Sequence, residues 1–219
     1  MGKKGWVPNS VKKAIIVSFE GIDGCGKTTQ AKKFVRYLRN RKRRVLFLRE
    51  PGTTQLGKDL RRILLARKSK LSNFSELFLY LAARSQLCRE ILDRQSRIPQ
   101  IIVLDRFADS TVAYQGHGRG IPISFIDMAH QLVLGGLTPD ITFLIDARAE
   151  NLRTTLRNKG TDRLERSLAF QRKVRKGYLK LAAANPQRFR IIHRTPSQKN
   201  TFAQICAVWE SFNHGQKKG

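Results

Sequence analysis

Phe19-Glu20-Gly21-Ile22-Asp23-Gly24-Cys25-Gly26-Lys27-Thr28-Thr29-Gln30 is the stretch that decides the fold. It carries Gly21, Gly26, Lys27 and Thr28 at the spacing G-x-x-x-x-G-K-T, the pattern of a phosphate-binding loop. Upstream, Ala14-Ile15-Ile16-Val17-Ser18-Phe19 is a short β-branched, apolar run that reads as a buried strand. Downstream, Ala31, Phe34, Val35 and Leu38 recur at i, i+3, i+4 and i+7, the stripe of an amphipathic helix. Strand, glycine turn and helix in that order are what the pattern requires. The glycines let backbone N–H groups turn inward around phosphate oxygens. A helix beginning near Lys27 points its positive end at the same anion. Lys27 then supplies a mobile cation for the β- and γ-phosphates, and the Thr28 hydroxyl is placed to ligate Mg²⁺.

Working outward, Arg44-Val45-Leu46-Phe47-Leu48 reads as a second buried strand, closed by the loop signal Arg49-Glu50-Pro51-Gly52. Residues 56–67 read as a helix with Leu60, Ile63 and Leu64 on one face. A longer helix is expected from Asn73 to about Gln95, capped by Ser72 or Asn73 with Glu76 nearby. Its middle, residues 77–83, is apolar all round and is expected to be largely buried. Ile101-Ile102-Val103-Leu104 is a third strand ending in Asp105-Arg106. Residues 115–120 read as a polar, glycine-bearing loop, and 122–134 as a helix closed by Gly135-Gly136. A fourth strand spans 141–145, two helical stretches flank 158–163, a short fifth strand covers 188–193, and a final helix follows. Strands alternating with helices predict an α/β fold of three layers, a five-stranded parallel sheet flanked by helices. Ligands are then expected at the carboxyl ends of the strands, where the phosphate loop, Arg49-Glu50 and Asp105-Arg106 all fall. Asp105 follows a buried strand, the position of a carboxylate that orients hydrated Mg²⁺. Arg106 beside it is placed to reach a second phosphate.

The 219 residues suit one domain, expected over 13–213, with a basic, flexible lead at 1–12 and a basic tail at 214–219. No apolar run approaches the ~20 residues of a membrane span, and the basic N-terminus lacks the apolar core of a signal peptide. Cys25, Cys88 and Cys206 are far apart and odd in number, which suits a reducing cytoplasm and neither a disulfide framework nor a metal cage. The net charge of +27 exceeds what two nucleotides require. It reads either as a solvated basic surface or as a nucleic-acid footprint, and it predicts salt-sensitive, non-specific binding to polyanions in both cases.

The loop motif, Arg49-Glu50-Pro51-Gly52-Thr53, Asp105-Arg106-Phe107 with Ser110, Ala113-Tyr114-Gln115-Gly116, Asp162-Arg163-Leu164-Glu165 and Gly177-Tyr178-Leu179 together resemble bacterial thymidylate kinases. The resemblance runs in register from about residue 14 to 210. It implies a P-loop kinase that moves the γ-phosphoryl of ATP to dTMP with Mg²⁺, working as a homodimer. It places ATP on Gly21, Ile22, Asp23, Gly24, Cys25, Gly26, Lys27, Thr28 and Thr29, with the metal at Thr28 and Asp105, partly through water. It places dTMP on Asp23 (sugar 3′-OH), Arg49, Pro51, Tyr80 (stacked on the base), Arg84 (base edge), Arg106 (phosphate), Thr111, Tyr114 (against the 2′ position) and Gln115. Catalysis falls to Lys27, Asp23, Asp105 and Arg106. Some family members carry an arginine after the loop aspartate, where this chain has Gly24. The missing cation is therefore expected from a lid at about 153–165, from Arg153 and Arg157, four apart on one helix face, with Arg163 next.

Three departures from the family pattern carry expectations. Cys25 replaces a small Ser or Ala and is expected to be thiol-reactive, its pKa lowered by the helix N-terminus. Thr53 replaces a glycine and stiffens the loop after β-strand two. His117 is expected at the surface. Two rival readings remain: a kinase of another pyrimidine nucleotide such as dUMP, and a basic nucleic-acid-binding protein on a retained kinase scaffold.

Overall fold

A computed structural model describes residues 14–66, 70–93, 99–152 and 168–215. The lead, the expected lid with Arg153, Arg157 and Arg163, and residues 216–219 lie outside the described residues. In chain order the elements are β1 (Ile15–Glu20), α1 (Lys27–Asn40), β2 (Val45–Arg49), α2 (Gln55–Leu65), α3 (Asn73–Asp93), β3 (Ile101–Asp105) and α4 (Ala108–Thr111). They continue with α5 (Ile123–Val133), β4 (Ile141–Asp146), α6 (Leu168–Ala184), β5 (Phe189–His193) and α7 (Gln198–Gly215). The five strands form one parallel sheet in the order β2-β3-β1-β4-β5. Parallel strands buried on both faces need near-continuous apolar runs, and β1, β3 and β4 supply them.

Alternation along each strand feeds two cores. Val17, Phe19, Val103 and Phe143 face α1, α6 and α7, where Phe34, Tyr178 and Trp209 close the layer. Ile16, Leu48, Ile102 and Leu104 face Leu87, Cys88 and Ile91 of α3. The Phe34 ring meets Phe143 and Trp209 edge-on at centroid distances of 5.7 and 5.2 Å, the arrangement the ring quadrupoles favour. Ser18 and Thr142, opposite each other in β1 and β4, share a buried hydrogen bond of 2.7 Å that satisfies both hydroxyls. At one end of the sheet, Asp105 sits beside both Phe19 and Arg49, so β1, β3 and β2 end at one place.

Three sequence expectations change. Residues 115–120 are not a loop: the chain continues from α4 into a wide π-helical segment, Val112–Gly118, most of it buried. Glycine spacing suggested a turn, but Gly116 is there because Ile123 and Ile126 press on its backbone; a Cβ would lie 2.4 Å from Ile123 Cδ1. His117 is half-buried, its ring packed on the bare backbone of Gly177 in α6, and desolvation lowers its pKa. The middle of α3 is buried on one side only. Leu77 and Leu81 are inside, whereas Phe78 is 53% exposed and Phe74 47%, both stacked edge-to-face with Phe125 of α5.

Candidate active site

The phosphate loop joins β1 to α1. Gly21, Gly24 and Gly26 have φ of 141°, 77° and 97°, conformations that L side chains rarely adopt. Gly21 is fixed twice over, because a Cβ there would sit 2.6 Å from the Ile145 carbonyl oxygen. No side chain caps α1, so its first N–H groups stay directed at the loop. Lys27 opens the helix, 7% exposed, with Nζ 3.5 Å from Asp23 Oδ1. Asp23 is held from three further directions. Arg106 Nη2 donates to Oδ1, Gln171 Nε2 donates to Oδ2 at 3.3 Å, and Gln171 Oε1 accepts from the Asp23 N–H. Cys25, however, is buried among Gly21 and its neighbours, and burial pushes its thiol pKa up. The direction is opposite to the expected lowering of the thiol pKa: desolvation outweighs the opposing pull of Lys27 and Arg106.

The Thr28 hydroxyl donates to Asp105 Oδ2 at 2.7 Å. Asp105 is 1% exposed, and its Oδ1 has no hydrogen-bond partner among the described residues. An ionised oxygen buried without a donor is costly. A hydroxyl and a free carboxylate oxygen beside a phosphate loop form the sparse oxygen set that a hydrated Mg²⁺ takes, with substrate phosphates completing its shell. Arg49 Nε lies 3.6 Å from the same Oδ2 and is half exposed. Thr53 donates to the Arg49 carbonyl at 2.9 Å and accepts from its N–H at 2.7 Å, pinning the turn that carries Pro51.

Arg106 is the hub of the acceptor side. Its φ of 73° is a left-handed conformation, held by a hydrogen bond from its N–H to the Phe19 carbonyl at 3.1 Å. Nη1 donates to Ser110 Oγ at 3.0 Å and Tyr178 Oη at 3.4 Å; Nη2 donates to Tyr114 Oη at 2.9 Å as well as to Asp23. The guanidinium lies 4.6 Å over the Tyr114 ring. Arg84, by contrast, lies beneath the cleft, 1% exposed. It holds Glu50 through Nε and Nη2, Thr111 and His130 through Nη1, and the Phe107 carbonyl through Nη2. Since a guanidinium only donates, His130 Nε2 must accept, and burial with Arg84 depresses its pKa to about 3. Each nitrogen of the Arg84 guanidinium thus has a protein partner, and a contact to a base edge competes with these. Gln115 is also turned inward, its amide donating to Glu76 at 2.8 Å, while Tyr80 is half-buried one helical turn before Arg84.

Glu20, like Gln171, had no role in the sequence reading. A lone carboxylate ending an apolar strand was the available signal. It is fully buried and accepts from the Phe107 N–H at 2.7 Å, Ser110 Oγ at 2.6 Å and Tyr178 Oη at 2.8 Å. The same two hydroxyls receive Arg106, so Glu20 sets the floor on which the arginine rests. Burial, reinforced by Asp109, lifts the Glu20 pKa from 4.5 to about 7. The folded state therefore binds a proton that the unfolded chain gives up between those values. Stability from this group is present in full below pH ~4.5 and is lost as pH rises through ~7, by at most about 3 kcal/mol. Urea midpoints should fall from pH 5 to pH 8, and Glu20→Gln should flatten that decline. An equal decline in the variant would assign it to other groups.

A phosphate loop facing a carboxylate and an anchored arginine, on this strand order, defines a P-loop kinase that uses a second phosphorylated ligand. A family model for thymidylate kinase matches residues 19–205. The chain is 40% identical over 193 residues to the thymidylate kinase of Kosmotoga olearia, covering 87% of this chain and 93% of that one. It is 42% identical over 203 residues to that of Caldanaerobacter subterraneus subsp. tengcongensis, covering 92% and 97%. The crystal structure of thymidylate kinase from Ehrlichia chaffeensis superposes with a TM-score of 0.74 at 32% identity, over 90% of this chain and 98% of that one. The chain belongs to the thymidylate kinase family.

Proposed function

We propose that this chain transfers the γ-phosphoryl group of ATP to dTMP, giving dTDP. The observation that carries the reading is the junction of Lys27, Asp23 and Arg106. One carboxylate bridges the cation of the phosphate loop and the cation of the acceptor side. Such catalysis rests on positioning and preorganised charge, with no covalent intermediate. The loop N–H groups and Lys27 hold the donor phosphates, and Arg106, released in part from Asp23, grips the acceptor phosphate. Asp23 then turns to the sugar 3′-OH. Tyr80 stacks on the base, with Arg84 and Thr111 as the polar floor beneath it and Gln115 bracing the wall behind. Tyr114, buried and hydrogen-bonded to Arg106, packs where a 2′-OH would project. Arg49 and Pro51 border the acceptor from the β2 turn.

Thr28 and Asp105 would hold Mg²⁺, in part through water. Bound there with ATP, the ion would neutralise charge on the β- and γ-phosphates. Arg153, Arg157 and Arg163 supply the lid cation that Gly24 does not. Chelation should abolish activity and Mg²⁺ restore it. Asp105→Asn should raise the Mg²⁺ needed for half-maximal rate by about 10-fold or more, while ATP binding in the absence of metal stays near wild type. An unchanged Mg²⁺ requirement would remove Asp105 from the metal site. The exposed apolar face of Phe74, Phe78, Met128 and Leu132 supports a homodimer. Among the described residues no helix is long and apolar enough to cross a membrane.

A further inference from the structure

The proposed reaction uses few of the chain's cations, and one group of the remainder has a shaped setting. Along residues 27–44 there are nine lysines and arginines and no acid. Part of this run lines a groove of about 560 Å³ formed by Lys32, Val35, Arg36, Arg39, Asn40, Leu46 and Phe47. Leu46 and Phe47 are neighbours on β2, so their side chains leave opposite faces of the sheet. Both can line one groove because β2 is the edge strand; the groove wraps the open edge of the sheet under α1.

Lys32, Arg36 and Arg39 lie at i, i+4 and i+7, one stripe of α1, and all three are exposed. Among the described residues none of the three has an acidic partner; Arg39 donates only to the Val45 carbonyl, at 3.2 Å. The acid that does face α1, Glu210 of α7, is taken up by Tyr37 and Arg41 on another side. Beyond Arg39 the exposed Arg41, Lys42 and Arg44 continue the positive field past the end of the helix. The stripe rises about 10 Å from Lys32 to Arg39, long enough to meet successive backbone phosphates of one strand. Its floor is apolar and aromatic, with Val35, Leu46 and half-buried Phe47.

We infer that this groove is a binding site for single-stranded nucleic acid. Lys32, Arg36 and Arg39 neutralise backbone phosphates, and a base covers Phe47. A cationic track with an aromatic floor fits a single strand, whose bases are free to stack, better than a duplex or an acidic peptide. The site is separate from the nucleotide cleft, which lies at the carboxyl ends of the strands.

The test is fluorescence anisotropy of a labelled oligodeoxycytidylate across a salt series, with dTMP and ADP filling the nucleotide sites. The full-length chain is compared with Lys32→Ala/Arg36→Ala/Arg39→Ala and with Lys173→Ala/Lys176→Ala/Lys180→Ala. The second variant removes the same charge from exposed positions on α6. The groove variant should lose about 2 from the slope of log affinity against log salt, at ~0.7 per phosphate contact, with kinase turnover unchanged. The α6 variant should keep the wild-type slope. Phe47→Leu should weaken the oligonucleotide about fivefold or more and leave heparin binding as it was. Equal slopes for the two triple variants would show a diffuse field and overturn the site. Heparin or duplex binding as tightly and with the same response to Phe47→Leu would overturn the single-strand assignment.

Discussion

Lys27→Ala should reduce kcat/KM for both nucleotides by on the order of 10³-fold while leaving the fold intact. The side chain is almost fully enclosed yet pairs with Asp23 at 3.5 Å, so its charge is fixed where a phosphate would arrive. In so dry a site a preorganised cation is worth far more than in water, and removing a single such donor typically costs ~10²–10³ in rate. Asp23 does not become an orphan in the variant, because Arg106 and Gln171 still hold it. The loss should therefore appear in kcat as much as in KM, and the melting temperature should stay close to wild type. Lys27→Arg should not rescue, since a planar fork does not fit a loop shaped for a point charge. A variant with near-normal kcat would show that the loop backbone and metal suffice.

The largest stability effect is expected at Arg84. Both it and Glu50 are buried, at 1% and 2% exposure. Burial alone raises the Glu50 carboxyl and the arginine opposes it. Arg84→Met removes the only cation paired with Glu50 among the described residues, and also strands Thr111, His130 and the Phe107 carbonyl. Breaking a buried pair from one side costs about 3–5 kcal/mol, against a total of roughly 5–15 kcal/mol for a domain. At this chain length that is on the order of 10 °C in Tm. Arg84→Lys should fare little better, because one ammonium cannot reach acceptors spread around a planar fork. The double variant Arg84→Met/Glu50→Gln should recover part of the loss. A cost below ~1 kcal/mol for Arg84→Met would mean the network is solvated and contributes little.

The position of Arg84 also shows where sequence reading reaches its limit. The five strands, their parallel arrangement and the phosphate loop were legible because each rests on local periodicity or on residues adjacent in the chain. Asp105 and Arg106 were legible as the polar end of an apolar strand. Glu20 stood in the quoted motif without a role, because its meaning depends on Ser110 and Tyr178, 90 and 158 residues away. Gln171, which clamps Asp23 from α6, gave no local signal at all. The expected loop at 115–120 failed for a related reason: Gly116 and Gly118 looked like turn glycines, but they accept close packing from Ile123, Phe170 and Val174. Cys25 was read from the helix end beside it, whereas its burial in the core under β1 and β4 pushes the thiol pKa up.

In the proposed reaction, donor and acceptor phosphates meet across Lys27, Asp23 and Arg106, and the acceptor is dTMP. The most direct measurement is product analysis of the purified chain with ATP and Mg²⁺, with and without dTMP, with dUMP as the competing acceptor. ADP formation should depend on dTMP, with one dTDP per ADP and slower turnover of dUMP. ADP formation indifferent to dTMP, or no dTDP with all three components present, would contradict that reaction.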